Sequence, residues 1–437
     1  MQTLDGSVRI AVATLGCRVN QYESAMMQRQ LERTYTVVSE NADVYVLNTC
    51  TVTALAERKV RQTMRRLRRA HPQALILLIG CLADALALGV ARLDASDVTL
   101  AGNAWKPRIG EAVRAALSGE RGLLESPPTS PLKSEFVSRH AGRVRAFLKI
   151  QDGCDRSCTY CRTTQVRGPS RSKDIGASVQ EARGLVASGH REIVLTGINL
   201  ASYAPPRGDL VALMSRLIEI PGLLRLRLGS LNPAGVNERL LEFLPHAPKV
   251  CPHFHIPLQS GDDRLLARMR RGYTASGFRH AIDRLRAARP EATFGTDVII
   301  GYPGEDDDAF GRTVAAVEEV RFSNLHTFRY SHRAGTPAAE EDARTVPASV
   351  KRLRAQRLGA IGRSILRRHL DERIGSLQAV LAETARNGHW LGYTRDYVRV
   401  VVADAGRTRP GDEIETRIVG VRGDRLEGVM RDQQDTD

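Results

Sequence analysis

No run of about 18 or more apolar residues occurs in this 437-residue chain, which excludes an evident transmembrane helix. The N-terminus, MQTLDGSVRIAVATLGC, lacks a basic segment followed by a long apolar stretch, so a secretory leader is not expected and the expected location is cytoplasmic. Repeats of the solenoid kind are missing. A single tract, SGERGLLESPPTSPLKSE at 118–135, lacks periodicity and is rich in Pro, Ser and Gly; it reads as an interdomain linker. Cysteines number only 7, an odd count that argues against a pure disulfide framework. In a cytosolic chain, clustered cysteines are more often metal ligands or redox groups.

What is present is basic charge. The formal net charge is +15 and the pI is near 9.9. Such a balance favours a polyanionic partner, nucleic acid first, although Arg far exceeds Lys and part of the excess is compositional. The length suggests roughly two to four domains. VRIAVATLGC, ADVYVLNTC and ALILLIGC are apolar runs of buried-strand type with helical segments between them. They predict an open parallel α/β sheet over residues 1–125. Six further strand candidates alternate with helices over 140–370: RAFLKI, EIVLTGIN, LRLRLGS, HFHIPLQ, TFGTDVIIGYP and LHTFRYS. That series predicts a full or partial parallel barrel, whose chemistry belongs at the carboxyl ends of the strands. Over 371–437 short β-branched runs broken by Gly, Asn and Asp predict a small antiparallel β-barrel. The fold class is therefore α/β with a C-terminal β module.

The densest chemistry lies in QDGCDRSCTYCRTTQVRG. Cys154, Cys158 and Cys161 form C-x3-C-x2-C directly after the first barrel strand. Four thiolates would close an iron–sulfur cube. Three leave one iron open to a substrate or cofactor, which is the ligand logic of radical S-adenosylmethionine (SAM) chemistry. The competing reading is zinc held by three Cys and a distant His, but zinc sites usually close with a second paired arm, and only one arm is present. Cys17, Cys50 and Cys81 each end a predicted strand, spaced about 30 residues apart, the length of one βαβ unit. Parallel strands then bring three thiols to one sheet edge. Cys251 has no motif around it and reads as a core residue.

At these residues the chain resembles the radical SAM methylthiotransferase family. The likeness is carried nearly end to end by TLGCRVNQYES, NTCTVT, GCLAD, FLKIQDGCDRSCTYC, RGPSRS, LTGINL, PLQSGDDRLLARMRRGYT, TDVIIGYPGE and FRYSHRAGTPAA. The resemblance implies a central radical SAM partial (β/α)6 barrel and a C-terminal TRAM-like RNA-binding barrel. It implies two [4Fe-4S] clusters, one on Cys17, Cys50 and Cys81 that presents sulfur, one on Cys154, Cys158 and Cys161 that cleaves SAM to a 5′-deoxyadenosyl radical. Both clusters must face one chamber, so the first domain should dock over the barrel mouth. Tyr160 can pack near the SAM adenine, and Asn199, Gln259 and Ser331 are polar strand-end candidates, each equally readable as a satisfied turn residue. No general base stands out. Arg162 and Gln165 stand where the family usually has aliphatic residues and a proline, and Asn232 where it tends to have a carboxylate.

Three substrates compete within the family: threonylcarbamoylated adenosine (t6A) of tRNA, isopentenylated adenosine of tRNA, and an aspartate of a ribosomal protein. TLGCRVNQYES and NTCTVT resemble the first subfamily most, which implies conversion of t6A at position 37 of tRNA to its 2-methylthio form. Implied partners are tRNA, a reducing electron donor of flavodoxin or ferredoxin type, and iron–sulfur assembly proteins, with no membrane. GYTRDYVRVVV alternates aromatic and basic residues in a way that suits base stacking and phosphate neutralisation, and ERKVRQTMRRLRRAH is a second candidate RNA contact. Two other readings stay open here: a non-catalytic zinc-containing RNA-binding protein, and a radical SAM enzyme that methylates without inserting sulfur.

Overall fold

The computed structural model describes residues 8–341, 344–403, 406 and 408–431. The first seven residues, part of the leader reading, and the last six, at the end of the third expected region, lie outside them. The N-terminal elements are β1 (Arg9–Leu15), α1 (Arg18–Leu31), β2 (Thr36–Val37), β3 (Val44–Thr49), α2 (Ala54–Ala70), β4 (Leu75–Gly80), α3 (Cys81–Ala87), β5 (Thr99–Ala101), α4 (Ile109–Leu117) and β6 (Gly122–Leu123). The strands form one parallel sheet in the order β2-β1-β3-β4-β5-β6. β3 is buried throughout because helices cover both faces. Tyr22, Met26 and Leu31 of α1 with Ile109 and Val113 of α4 cover one side; Val60, Met64 and Leu67 of α2 with Leu82 of α3 cover the other.

The expected linker at 118–135 is corrected by this arrangement. Its Gly122–Leu123 is the sixth strand, Leu124 and Leu132 are buried, and Glu135 is buried as well. The leucines scattered among its Pro and Ser residues are enough to hold the tract against the sheet, which overall composition hides.

The central elements are β7 (Arg145–Lys149), β8 (Gln151–Asp152), α5 (Thr163–Arg167), β9 (Arg171–Ser172), α6 (Ile175–Ala187), β10 (Glu192–Thr196), α7 (Leu210–Ile218), β11 (Arg225–Leu228), α8 (Glu238–Phe243), β12 (His253–His255), α9 (Asp263–Arg268), α10 (Ala275–Ala288), β13 (Thr293–Ile300), α11 (Asp307–Val320), β14 (Asn324–Arg329) and α12 (Ala348–Asp371). The six barrel strands foreseen from the sequence are all parallel. They run β7-β10-β11 and β12-β13-β14, joined through the parallel bridges Leu226–Val250 and Ser230–His255. Among the described residues no pairing returns β14 to β7, so the barrel is partial. Ala146 and Phe147 of β7 and Val194 of β10 share a core with α1 and α4, which fuses the first sheet to the open barrel edge.

The C-terminal strands β15 (Leu377–Arg386), β16 (His389–Thr394), β17 (Arg399–Ala403), β18 (Glu413–Arg422) and β19 (Arg425–Met430) close a barrel in the order β15-β16-β17-β19-β18. Val380, Trp390, Val400, Ile414, Ile418 and Leu426 fill it. The antiparallel expectation holds for every pair but one: β17 and β19 run parallel, because closure places them side by side in the same direction.

GYTRDYVRVVV also needs correction as an RNA face. Tyr393 and Tyr397 stack on each other, with centroids 5.0 Å apart, and turn toward the amino ends of the central strands. The Arg145 guanidinium lies 4.3 Å from the Tyr393 ring centre, and that of Arg227 lies 4.7 Å from Tyr397. Arg225 donates to the Tyr393 carbonyl at 2.9 Å, and Arg395 donates to that of Pro248 at 2.5 Å. These aromatics are an internal joint; the partners that alternation cannot specify are arginines of another region. No helix of the described residues is long and apolar enough to cross a membrane.

Candidate active site

Cys17, Cys50 and Cys81 follow β1, β3 and β4, three adjacent strands, and so arrive at one edge of the sheet. Two glycines permit the approach. A Cβ on Gly16 would stand 3.0 Å from the Cys50 Cβ. Gly80 adopts φ +103°, a conformation L side chains rarely take, to turn β4 into α3. The sulfurs act on one another: burial pushes the Cys50 thiol up to about 12, and the neighbouring Cys81 and Cys17 add to that shift. Each receives or makes a polar contact. Val52 N–H points at the Cys50 Sγ at 3.5 Å, Asn103 Nδ2 at the Cys81 Sγ at 3.6 Å, and the Cys17 thiol donates to Asn20 Oδ1 at 3.1 Å.

The second triplet lies in the loop between β8 and α5. All three thiols are free, and they influence one another electrostatically, as they must if they share one spot. Backbone N–H groups of Arg156 and Thr163 reach the sulfurs of Cys154 and Cys161 at 3.5 and 3.4 Å. Arg271 donates to the Cys158 Sγ at 3.3 Å and to the Tyr160 hydroxyl at 3.2 Å. Tyr160 therefore sits beside this triplet.

The donor chemistry of both triplets fits iron–sulfur ligation better than zinc. Among the described residues neither triplet has a second paired thiol or imidazole arm beside it to close a four-ligand zinc site. Three soft thiolates are the donor set of an iron–sulfur cube with one open iron.

A buried charge network ties the first triplet's sheet to the barrel, and sequence reading missed it. Arg167, six residues after Cys161, pairs with Glu23 of α1 at 2.9 Å and Asp152 at 2.8 Å, and donates to Asn20 Oδ1 at 3.2 Å. Its charge is felt by Cys17 and Cys81. Lys106 reaches Glu23 at 2.5 Å; Lys149 reaches Glu23, Asp152 and Glu135 at 3.0, 2.9 and 2.7 Å. Three cations thus balance three carboxylates in a dry seam between the first sheet and the barrel, the condition under which buried charge is tolerated. Glu23 and Arg167 are far apart in the chain, so no local pattern announces them.

Of the departures, Arg162 spans the contact between the first sheet and the barrel, while Gln165 bonds within the barrel region. Arg162 pairs with Glu57 at 3.3 Å and donates to the carbonyls of Val90 and Ala334 at 2.6 and 2.9 Å. Gln165 donates to the Gly335 carbonyl at 2.6 Å. Asn232 is a satisfied cap: its side chain accepts from Ala234 N–H at 3.1 Å. Asn199 Nδ2 donates to Ser202 Oγ at 2.6 Å, and its backbone N–H donates to Gln151 Oε1 at 2.8 Å. Gln259 holds φ +66° and joins β13 through Asp297 O and Ile299 N–H. Ser331 Oγ accepts from Ala54 N–H at 3.3 Å, where β14 meets α2. Of the four SAM candidates, Tyr160 is tied to a triplet through Arg271, which bonds both its hydroxyl and the Cys158 sulfur. Cys251 is fully buried, in line with a core residue.

Residues 9–101 match the Uncharacterized protein family UPF0004, and residues 148–317 match the Radical SAM superfamily. Over 431 residues the chain is 36% identical to the threonylcarbamoyladenosine tRNA methylthiotransferase MtaB of Thermotoga maritima, covering 96% of this chain and 98% of that protein. The protein of the same name from Bacillus subtilis is 34% identical over 408 residues, 90% of each chain. A tRNA-2-methylthio-N(6)-dimethylallyladenosine synthase of Pelotomaculum thermopropionicum is 32% identical, covering 96% of this chain and 97% of its own. Among solved structures, the radical SAM methyltransferase TsrM of Kitasatospora setae superposes with a TM-score of 0.55 at 14% identity, over 76% of this chain and 75% of that one; the likeness is one of fold.

Proposed function

The chain belongs to the family of radical SAM tRNA methylthiotransferases, and on that premise we propose that it converts t6A at position 37 of tRNA to 2-methylthio-t6A, with Cys154, Cys158 and Cys161 holding one [4Fe-4S] cluster and Cys17, Cys50 and Cys81 a second. The observation that carries this reading is the pair of free thiol triplets on two domains locked together by one buried ionic seam. When bound, a cluster on three thiolates supplies an open iron for a guest and one-electron chemistry. The chain's own residues do the rest. Arg271 and the N–H groups of Arg156 and Thr163 orient the second triplet and place hydrogen-bond donors on its sulfurs. Arg167 and its carboxylates fix the first triplet against the barrel and keep water from the seam. Asn103 ties Cys81 to the Val166 carbonyl, linking the two loops directly.

A cleft of about 450 Å³ between α2 and β14 supports the approach of RNA. It is lined by Leu55, Arg58, Phe328, Arg329, Ser331 and Lys351, an exposed aromatic ring among cations, the surface type that stacks bases and neutralises phosphates. With the aromatic face of the C-terminal barrel spent on the joint, this cleft and the basic face of α2 are the better supported contacts. A flavodoxin- or ferredoxin-type donor and iron–sulfur assembly proteins complete the partners we assign.

Nucleoside mass spectrometry of tRNA from cells with and without the gene tests the reading. The expected result is loss of 2-methylthio-t6A with accumulation of t6A. Loss of the methylthio dimethylallyl nucleoside instead would move the enzyme to the other tRNA branch. Iron analysis of anaerobically purified protein should give about eight irons per chain for two cubes; about four would remove the second cluster.

A further inference from the structure

Besides the thiol triplets, three side chains from the adjacent strands β12, β13 and β14 converge. β13 directs Phe294, Val298 and Ile300 into the core beneath the helices, so Gly295, Asp297 and Ile299 face the interior. In register, Asp297 lies opposite His326 of β14, and Gly295 opposite His255 of β12. His255 Nε2 stands 3.2 Å from Asp297 Oδ2, and His326 Nδ1 3.1 Å from Asp297 Oδ1. One ligand atom from each residue lies within 4.8 Å of the other two, the only such group of His, Cys, Asp and Glu among the described residues. Gly295 makes the arrangement possible, because a Cβ there would stand 2.9 Å from His255 Nδ1.

We propose that His255, Asp297 and His326 bind one divalent first-row metal ion of the Fe²⁺ or Zn²⁺ class. Two imidazoles and a carboxylate are the donor set such ions prefer. Two ligand atoms each about 2.1 Å from a common ion stand roughly 3 to 3.5 Å apart; each imidazole stands that far from one Asp297 oxygen, and the three donors lie within 4.8 Å, so small side-chain rotations close the set. Among the described residues, the ion pairs of Asp297 are with these two histidines alone; no lysine or arginine pairs with it. A divalent ion supplies the fixed positive charge that this half-buried carboxylate otherwise lacks. The side chains of His255, Asp297 and His326 keep 14%, 26% and 48% exposure, so the site is reached from solvent. Three protein ligands leave coordination positions for water or an oxygen donor inside the barrel. The competing arrangement is a hydrogen-bonded His–Asp–His triad that takes no metal.

Zinc is the probe. Cluster-loaded protein prepared without oxygen is exposed to a slight excess of zinc chloride, desalted, and analysed for zinc and iron. The parent should retain one zinc per chain with its iron unchanged. Asp297→Asn and His326→Gln should each retain zinc at least about tenfold less tightly, a loss that even outer partners of a metal site bring on removal. Iron content and thermal unfolding report whether the variants remain folded. A parent that keeps no zinc, variants that keep as much as the parent, or zinc gained only as iron is lost would each overturn the assignment. The measurement needs no tRNA, so it stands or falls apart from the substrate reading.

Discussion

His140 shows how burial turns one side chain into a pH sensor of stability. It lies where the first region passes into the barrel and is 3% exposed. Its Nε2–H donates to the Phe147 carbonyl at 2.9 Å, and its backbone N–H donates to His190 Nε2 at 3.0 Å. Burial disfavours the imidazolium and lowers the His140 pKa to about 4. As pH falls through about 6.5 the unfolded chain takes up a proton that the folded one refuses until about 4. The contribution is therefore intact above about pH 6.5 and is lost as pH falls, by roughly 3 kcal/mol across the window. His140→Gln keeps a donor for Phe147 and removes the titration. Between about pH 7 and pH 4.5 the melting temperature of the parent should fall more steeply than that of the variant; parallel curves would remove His140 from the acid response.

At the scale of elements, α2 illustrates a face whose packing was legible while its neighbours were not. Val60, Met64 and Leu67 form the buried stripe, and Arg58, Lys59, Arg65, Arg66 and Arg69 face solvent. Reversing Arg58 and Arg65 to Glu should leave the helix capped by Thr53, whose side chain accepts from Ala56 N–H at 3.1 Å, and weaken tRNA binding. The slope of log affinity against log salt should flatten by roughly 1.5 if both charges meet phosphates. Equal affinity and slope in a filter-binding titration would take α2 out of the RNA surface. Helix α2 and the six barrel strands were readable because their signal is local: a 3.6-residue stripe, or a short apolar run. LRLRLGS shows the limit. Its leucines and arginines alternate as in a strand with a wet face, yet Arg225 and Arg227 are 0% and 1% exposed. They are buried because Glu192 of β10 pairs with Arg227 at 2.7 Å and Glu413 of β18 with Arg225 at 2.6 Å, partners from elements far along the chain. The thiol site divides the same way. The cysteines stand out as a spacing and as strand ends, whereas Glu23, Asp152 and Arg167 become a site only once the sheet meets the barrel.

In the whole molecule, the first sheet closes one side of the open barrel and the C-terminal barrel closes its amino end, and a single tyrosine serves the second closure. Tyr397 sits at φ +73°, a strained conformation for a residue with a side chain. Its ring lies 4.7 Å from the Arg227 guanidinium and 5.1 Å from the His253 ring, and its hydroxyl accepts from Arg18 of α1 at 3.4 Å. One side chain thus touches all three regions. Removing the ring as Tyr397→Ala should cost about 2 to 3 kcal/mol, less than truncation of a fully buried aromatic because the ring is half-buried, and leaves the backbone strain in place. Tyr397→Gly loses the same contacts but releases the left-handed strain, so it should be the more stable of the two by roughly 1 kcal/mol. Tyr397→Phe, which gives up the hydroxyl's bonds to Arg18 and Arg145 but keeps the ring, should cost about 1 to 2 kcal/mol and remain the most stable of the three. Chemical denaturation of the three variants gives that order directly. If Ala and Gly both unfold at the parent's midpoint, the ring does not hold the C-terminal barrel in place, and the joint rests on its polar contacts, those of Arg145, Arg225, Arg227 and Arg395 with Glu383, Tyr393, Glu413, the Arg395 carbonyl and Pro248.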